Sequence, residues 1–162
     1  MIFTGQTELT VDAKGRLAVP ARYRSRWDPA THGTGWMCIP WPEDGGMLRL
    51  FPERQFELLG DSGESSLTPT GATGELESQL FGLAELIEMD SAGRIRLPAR
   101  HMELVGLPSE VVVIGVRNRL EVRSRAAWQA KQAEAFASLP ELAAKLEAER
   151  RASKTLRITT DD

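Results

Sequence analysis

The eleven residues "DAKGRLAVPAR" at 12–22 return at 90–100 as "DSAGRIRLPAR", a shift of 78 positions. Asp12, Gly15, Arg16, Pro20, Ala21 and Arg22 reappear as Asp90, Gly93, Arg94, Pro98, Ala99 and Arg100, with no gap between them. Leu17 and Val19 become Ile95 and Leu97, still apolar and still two residues apart. A duplication of this kind constrains the fold more than any single segment does. A unit of roughly 50 residues buries too little surface for an independent core, but two such units can complete each other. The chain therefore reads as an internal pseudo-dimer.

The two halves share an order of elements. "TELTV" before Asp12 and "ELIEM" before Asp90 carry strand-like alternation. "AKG" and "SAG" then read as tight turns, since Gly15 and Gly93 reach positive φ at little cost. "RLAV" and "RIRL" follow as half-buried strands. Pro20 and Pro98 end those strands and suit the first turn of a helix, so "PARYRSRW" and "PARHMELVGL" are expected as short helices. A hairpin comes next in each half, "WMCIPW" with "MLRLF" and "VVVIGV" with "LEVR". Helices then open at Pro52 and at Ser124, the latter a candidate N-cap, with Phe56 and Trp128 as equivalent aromatic anchors. Residues 60–74 are rich in Gly, Ser and Thr and read as a linker, followed by a short helix in "ELESQLFGL". Pro140 is expected to interrupt the C-terminal region, with "PELAAKLEAERR" a helix packed through Leu142 and Leu146 and "TLRITTDD" a mobile tail.

Composition narrows the function. Apolar residues make up 41% and charged residues 27%, as in a globular protein that buries a core. No apolar run approaches the roughly 20 residues of a membrane helix, and the N-terminus lacks a basic, apolar signal pattern, which predicts a cytoplasmic protein. The single Cys38 sits among apolar neighbours and reads as a buried structural thiol, with neither a disulfide nor a thiolate metal site available to it. His32 and His101 stand in unrelated contexts, and no serine elbow or metal-spaced cluster accompanies them. His101 reads as a surface or core histidine. No enzyme, cofactor, metal or small-molecule substrate is expected.

Net charge is −3, yet it is unevenly spread. Lys14, Arg16, Arg22, Arg24 and Arg26 face only Glu8 and Asp12 within residues 1–27, whereas residues 53–90 hold nine acids against Arg54. A basic patch on an acidic protein favours a specific anionic partner over indiscriminate binding. The Asp-x-x-x-Arg spacing admits two uses. The carboxylate can accept turn amides and brace the arginine with nothing bound. Alternatively, it can hold an arginine at an exposed hairpin edge for phosphates or guanine edges. On the residues alone both remain open. Trp36, Met37, Ile39 and Trp41 form an apolar cluster larger than a small domain is expected to hide, which predicts an interface.

"MIFTGQTELTVDAKGRLAVPARYR" closely resembles the opening of the MraZ proteins, bacterial regulators linked to division and cell-wall gene clusters. "EMDSAGRIRLPARHMELVGLPSEVVVIGVRNRLEVRSRAAW" resembles their second half equally well, so the resemblance spans roughly residues 1–130. It implies an α+β fold of two tandem AbrB-like swapped-hairpin modules. These share one pseudo-dimeric β-barrel with flanking short helices and a C-terminal helix. The boundaries expected are 6–59 for the first DNA-binding repeat, 60–83 for a linker and short helix, 84–130 for the second repeat, and 131–162 for the C-terminal helix and tail.

The resemblance further implies a nucleoid-associated transcriptional regulator that assembles into a ring and binds tandem promoter repeats, its own operon included. Asp12 and Arg16, with Asp90 and Arg94, inherit the DNA-contacting role. Lys14, Arg22, Arg24, Arg96 and Arg100 join them as neighbouring cations. The alternatives are an antitoxin-like module of the same superfamily and a purely structural oligomer.

Overall fold

The computed structural model describes residues 1–61 and 71–159, with side chains described up to residue 152. Most of the expected linker lies outside the described residues. The chain divides into two compact units, Met1–Ala127 and Trp128–Asp162.

The first unit is α+β. Strands β1 (Gln6–Thr10) and β2 (Arg16–Ala18) lead into short helices α1 (Ala21–Arg24) and α2 (Pro29–His32). The hairpin β3 (Gly35–Trp41) and β4 (Met47–Pro52) follows, then α3 (Glu53–Asp61) and α4 (Gly71–Leu83). The second half repeats the plan with β5 (Glu85–Glu88), β6 (Arg94–Arg96), α5 (Ala99–Leu104), β7 (Glu110–Val116) and β8 (Arg119–Ser124). Pro20 and Pro98 stand as N-cap residues, one step before the helical position expected of them, with extended ψ of 136° and 125°. Ser124 caps as expected, its Oγ accepting from the Ala127 amide at 3.3 Å.

Pairing crosses between the halves. Six antiparallel strands run in the order β1-β7-β8-β4-β3-β5, and β2 pairs with β6 as a separate ribbon. The first strand of each half thus pairs with a strand of the other: Gln6 faces Ile114, and Gly35 faces Glu88. The central pair is β4 with β8, where Leu48 faces Val122 and Leu50 faces Leu120. Among the described residues the six-stranded ladder does not close, since β1 and β5 are its ends.

Alternation along the strands fixes what is inside. Leu48, Leu50, Leu120 and Val122 join Val111, Val113, Leu17, Ile95, Val19 and Leu97 in one core drawn from both halves. Phe3, Tyr23, Trp27 and Trp36 pack ring against ring beside it, with centroids 4.6–5.5 Å apart. Trp36 and Ile39 are therefore buried, while Met37 and Trp41 are half-buried. The expected exposed cluster at 36–41 does not exist, because β3 is covered on both faces. Cys38 is fully buried as expected, and burial pushes its thiol up to about 12.

The other face of β4 and β8 carries charge. Glu121 is only 3% exposed and accepts from Arg119 (Nη2 at 2.8 Å) and Arg123 (Nη2 at 2.7 Å). Arg49 stacks over Trp41 at 4.1 Å and reaches Glu43. Hydrogen bonds from the two guanidinium groups keep the Glu121 carboxyl below its usual range despite burial. Phe56 serves as the anchor expected, against Phe51 and Phe81.

The second unit continues helix α6 (Arg125–Thr159). The break expected at Pro140 does not occur. Proline removes one backbone donor, but the surrounding Ala, Glu, Lys and Leu residues favour the helix strongly enough to carry it through. The helix also runs into the segment expected to be a tail. Leu142 and Leu146, through which packing is expected, are more than half exposed among the described residues, as are Phe136 and Leu139.

Interleaved strands predict a single cooperative unit. Leu48→Ala, at a fully buried position on the central pair, is expected to cost about 2–5 kcal/mol in urea denaturation. Secondary-structure and tryptophan signals should still fall together. A fragment comprising residues 1–61, which lacks the partners of β1, is expected to show no dispersed amide spectrum.

Candidate nucleic-acid interface

Both Asp-x-x-x-Arg motifs fold into the same turn. Asp12 Oδ1 accepts from the amides of Lys14 and Arg16, each at 2.9 Å, and Oδ2 accepts from Arg16 Nε at 2.7 Å. In the second copy Asp90 Oδ1 accepts from the amides of Ala92 and Arg94 at 2.9 Å, and Oδ2 from Arg94 Nε at 2.9 Å. The peptide bonds close the loop in parallel: Gly15 N to Asp12 O and Gly93 N to Asp90 O, both 2.9 Å. Gly15 and Gly93 sit at φ of 73° and 75°, the left-handed region that a side chain strains. An aspartate whose carboxylate satisfies turn amides needs this short reach, and an arginine four residues later returns alongside it.

The turn amides and the guanidinium set the charge state. The Arg16 amide is the largest influence holding the Asp12 carboxyl down at about 2, with the Arg16 side chain and the Lys14 amide adding to it. The Arg94 amide and guanidinium lower Asp90 in the same way. Both acids are ionised at neutral pH, and both arginines are held by them while keeping 31% and 39% of their side-chain exposure.

The ribbon β2–β6 brings the two turns together. Arg16 faces Arg96, Leu17 faces Ile95, and Ala18 faces Arg94. Val19 N donates to Gly93 O and Leu97 N to Gly15 O, both at 2.9 Å, so each turn is stitched to the strand of the other half. Leu17 and Ile95 point into the core, which sends Arg16, Arg94 and Arg96 to the opposite, exposed face.

The remaining cations flank this face in unequal ways. Arg96 donates from Nε to Lys14 O at 3.1 Å, tying it to the first turn. Arg24 donates from Nε to Val19 O at 2.8 Å and lies where a Cβ on Gly93 would fall. Arg22 donates to the Gln6 carbonyl at 3.0 Å and to the Thr7 hydroxyl, bridging α1 to β1. Arg100 is exposed on α5 beside His101. Lys14 is exposed at the tip of its turn. The structure thus brings Asp12, Lys14, Arg16, Arg24, Asp90, Arg94 and Arg96 to one ribbon and its two turns, with Arg22 and Arg100 on the flanking helices. The clamp of Arg22 on Thr7 and the cover that Arg24 lays over Gly93 carry no spacing signal and were not foreseeable.

The histidines take structural positions. His101 is 1% exposed, with Nε2 3.3 Å from Glu85, and burial lowers its pKa. His32 Nδ1 accepts from the Asp28 amide at 3.0 Å at the start of α2. Among the described residues no group of three or more His, Cys, Asp or Glu is placed to hold a metal ion.

A depressed carboxyl stabilises the fold above its unfolded value and loses that contribution as pH falls through the folded one. Asp12→Asn is therefore expected to lower the melting temperature at pH 7. The gap to the parent protein should close as pH falls from about 4 to about 2. Melting curves across that window check this.

The family described as "MraZ protein, putative antitoxin-like" matches residues 2–28 and 80–150, which contain both turns and the whole β2–β6 ribbon. The chain is 33% identical over 131 residues to the transcriptional regulator MraZ of Xanthomonas oryzae pv. oryzae, covering 80% of this chain and 86% of that one. It is 33% identical over 132 residues to the transcriptional regulator MraZ of Shewanella denitrificans, covering 79% and 83%. It is 35% identical over 137 residues to that of Chromobacterium violaceum, covering 82% and 88%. With the family matched across both motifs and these identities sustained over four-fifths of the length, the chain belongs to the MraZ family.

Proposed function

We propose that this protein is a sequence-specific DNA-binding transcriptional regulator whose reading surface is the β2–β6 ribbon with its two Asp-held turns. One observation carries the reading. The fold gathers Arg16, Arg94 and Arg96 on one exposed face of a narrow two-stranded ribbon, on a protein whose net charge is −3. A two-stranded ribbon has dimensions that the major groove admits, and arginine suits both phosphates and the guanine edge. Residues 6–59 and 84–130 act as two AbrB-like repeats whose exchanged hairpins share one barrel-like core. The exchanged pairing of β1 with β7 and of β5 with β3 supports that division.

The protein works as a closed ring on tandem repeats in the promoter of a division and cell-wall gene cluster that includes its own operon, in the cytoplasm and at the nucleoid. Self-association is supported by exposed apolar surface within each unit. Phe136, Leu139, Leu142 and Leu146 are exposed on α6, and Leu59, Leu76 and Phe81 line an open apolar cavity of about 260 Å³ beside α3 and α4. Among the described residues no helix is long and apolar enough to cross a membrane. A single chain offers few cations, so one contact is weak at physiological salt. A ring on tandem repeats makes each added contact intramolecular, and avidity raises affinity by roughly 10² or more. The acidic helices α3 and α4 repel DNA held out of register.

Two measurements test this. Arg16→Ala is expected to weaken DNA binding by about 1–3 kcal/mol and to flatten the salt dependence, with the folded assembly intact by light scattering. Undiminished binding by a folded variant would leave the arginine a brace for its turn and favour the purely structural reading. Titrating fragments of one to four repeats at two salt concentrations is expected to show a steep rise in affinity with repeat number. Equal affinity for one and four repeats would refute the ring on tandem sites.

A further inference from the structure

The ribbon is built around a pseudo-two-fold that relates residue n to residue n + 78, yet the side chains on its exposed face break that symmetry. Leu17 and Ile95 sit on the pseudo-axis. At one end Arg16 lies opposite Arg96, and at the other Arg94 lies opposite Ala18. The bonds Val19 N to Gly93 O and Leu97 N to Gly15 O give both of these pairs the non-hydrogen-bonded spacing, ~4.5 Å between Cα atoms. Two arginines so close are a like-charge cross-strand pair, which destabilises a ribbon unless an anion meets it.

The surroundings differ in the same sense. Near the first turn stand Lys14, Arg16 and Arg96 with one carboxylate, Asp12. Arg96 Nε is anchored on Lys14 O at 3.1 Å. The cover over Gly15 is apolar, with Met102 Cε 3.4 Å from where its Cβ would be. Near the second turn stand Arg94 and Arg24 with Asp90, while Ala92 and Ala18 replace Lys14 and Arg96. Arg24 is the counterpart of Met102, and it is spent on Val19 O and on covering Gly93. One end therefore carries three cations to a carboxylate, and the other carries two, one of them a cover.

We infer that the DNA face has a polarity: the end formed by Lys14, Arg16 and Arg96 makes the stronger contact, and Arg96 is its specificity-determining residue. This rests on the DNA-reading function proposed above. A two-fold symmetric reader selects a site with matching two-fold symmetry. A reader with two arginines at one end of its face and one at the other distinguishes the two ends of its site, and so selects a non-palindromic one.

The test uses the full chain and a random 12-bp duplex library at low ionic strength, where a single site is held without avidity. The wild type is expected to enrich a non-palindromic motif. Ala18→Arg, which supplies the missing cation opposite Arg94, is expected to enrich a motif closer to self-complementary. Arg96→Ala is expected to bind the wild-type motif about tenfold more weakly, with a salt slope smaller by about one and the folded assembly retained by light scattering and circular dichroism. A palindromic wild-type motif, or unaltered affinity and salt slope in folded Arg96→Ala, overturns the polarity and leaves DNA reading standing. Enrichment of no motif at all overturns both.

Discussion

Each half of the chain leaves its first strand with hydrogen-bonding groups that only the other half satisfies. β1 pairs with β7 alone, and β5 is bonded to β3 alone in the six-stranded ladder. The 16–18 and 94–96 strands likewise have each other. These strands are largely exposed edges, so what each half loses with its partner removed is above all its share of the common core, too small to stand alone. That exchange also sets the core. Leu17 and Ile95, adjacent across the ribbon, meet Leu48, Leu50, Leu120 and Val122 from both hairpins. The exposed face of the ribbon owes its position to the apolar face beneath it.

Charge is arranged on two levels. In the sheet, Glu121 is buried between Arg119 and Arg123, a pairing that leaves no carboxylate unsatisfied at the centre of β4 and β8. At the ribbon, Asp12 and Asp90 accept amides first and arginines second. Because the turn itself keeps the carboxylate ionised, the arginine is positioned by a charge that persists whether or not an anion is present. Bracing and presentation, which the sequence leaves as alternatives, are in this geometry compatible. Nε is committed to the acid, and the side chain remains over 30% exposed.

Much of this was legible in the order of residues. The shift of 78 between Asp12 and Asp90 gives the pseudo-symmetry directly, and apolar alternation at Leu17, Val19, Ile95 and Leu97 gives the buried face. Turn glycines at 15 and 93 and the cap at Ser124 follow from local stereochemistry. What was not legible is long-range. Whether Trp36 and Ile39 face solvent depends on what covers β3, and sequence spacing is silent on that. The register that sets Arg16 against Arg96 comes from pairing across 80 residues. Pro140 misled for a different reason: a strong local rule lost to the summed propensity of the residues around it.

The same local ties bear on how so few cations can serve an acidic protein. A long side chain that is ordered only on binding costs up to about 2 kcal/mol of rotamer freedom. Arg16 and Arg94 are fixed on their aspartates, Arg96 on the Lys14 carbonyl, and Arg24 on the Val19 carbonyl. Their ordering is completed when the chain folds, so it does not have to be met again on an anion. Lys14 is the contrast, exposed at a turn tip and without such an anchor among the described bonds. Rigid arginines supply geometry and the lysine supplies adaptable charge. Under the DNA-reading function proposed above, this division puts sequence selection in the ribbon and leaves Lys14 a salt-sensitive attraction common to any DNA.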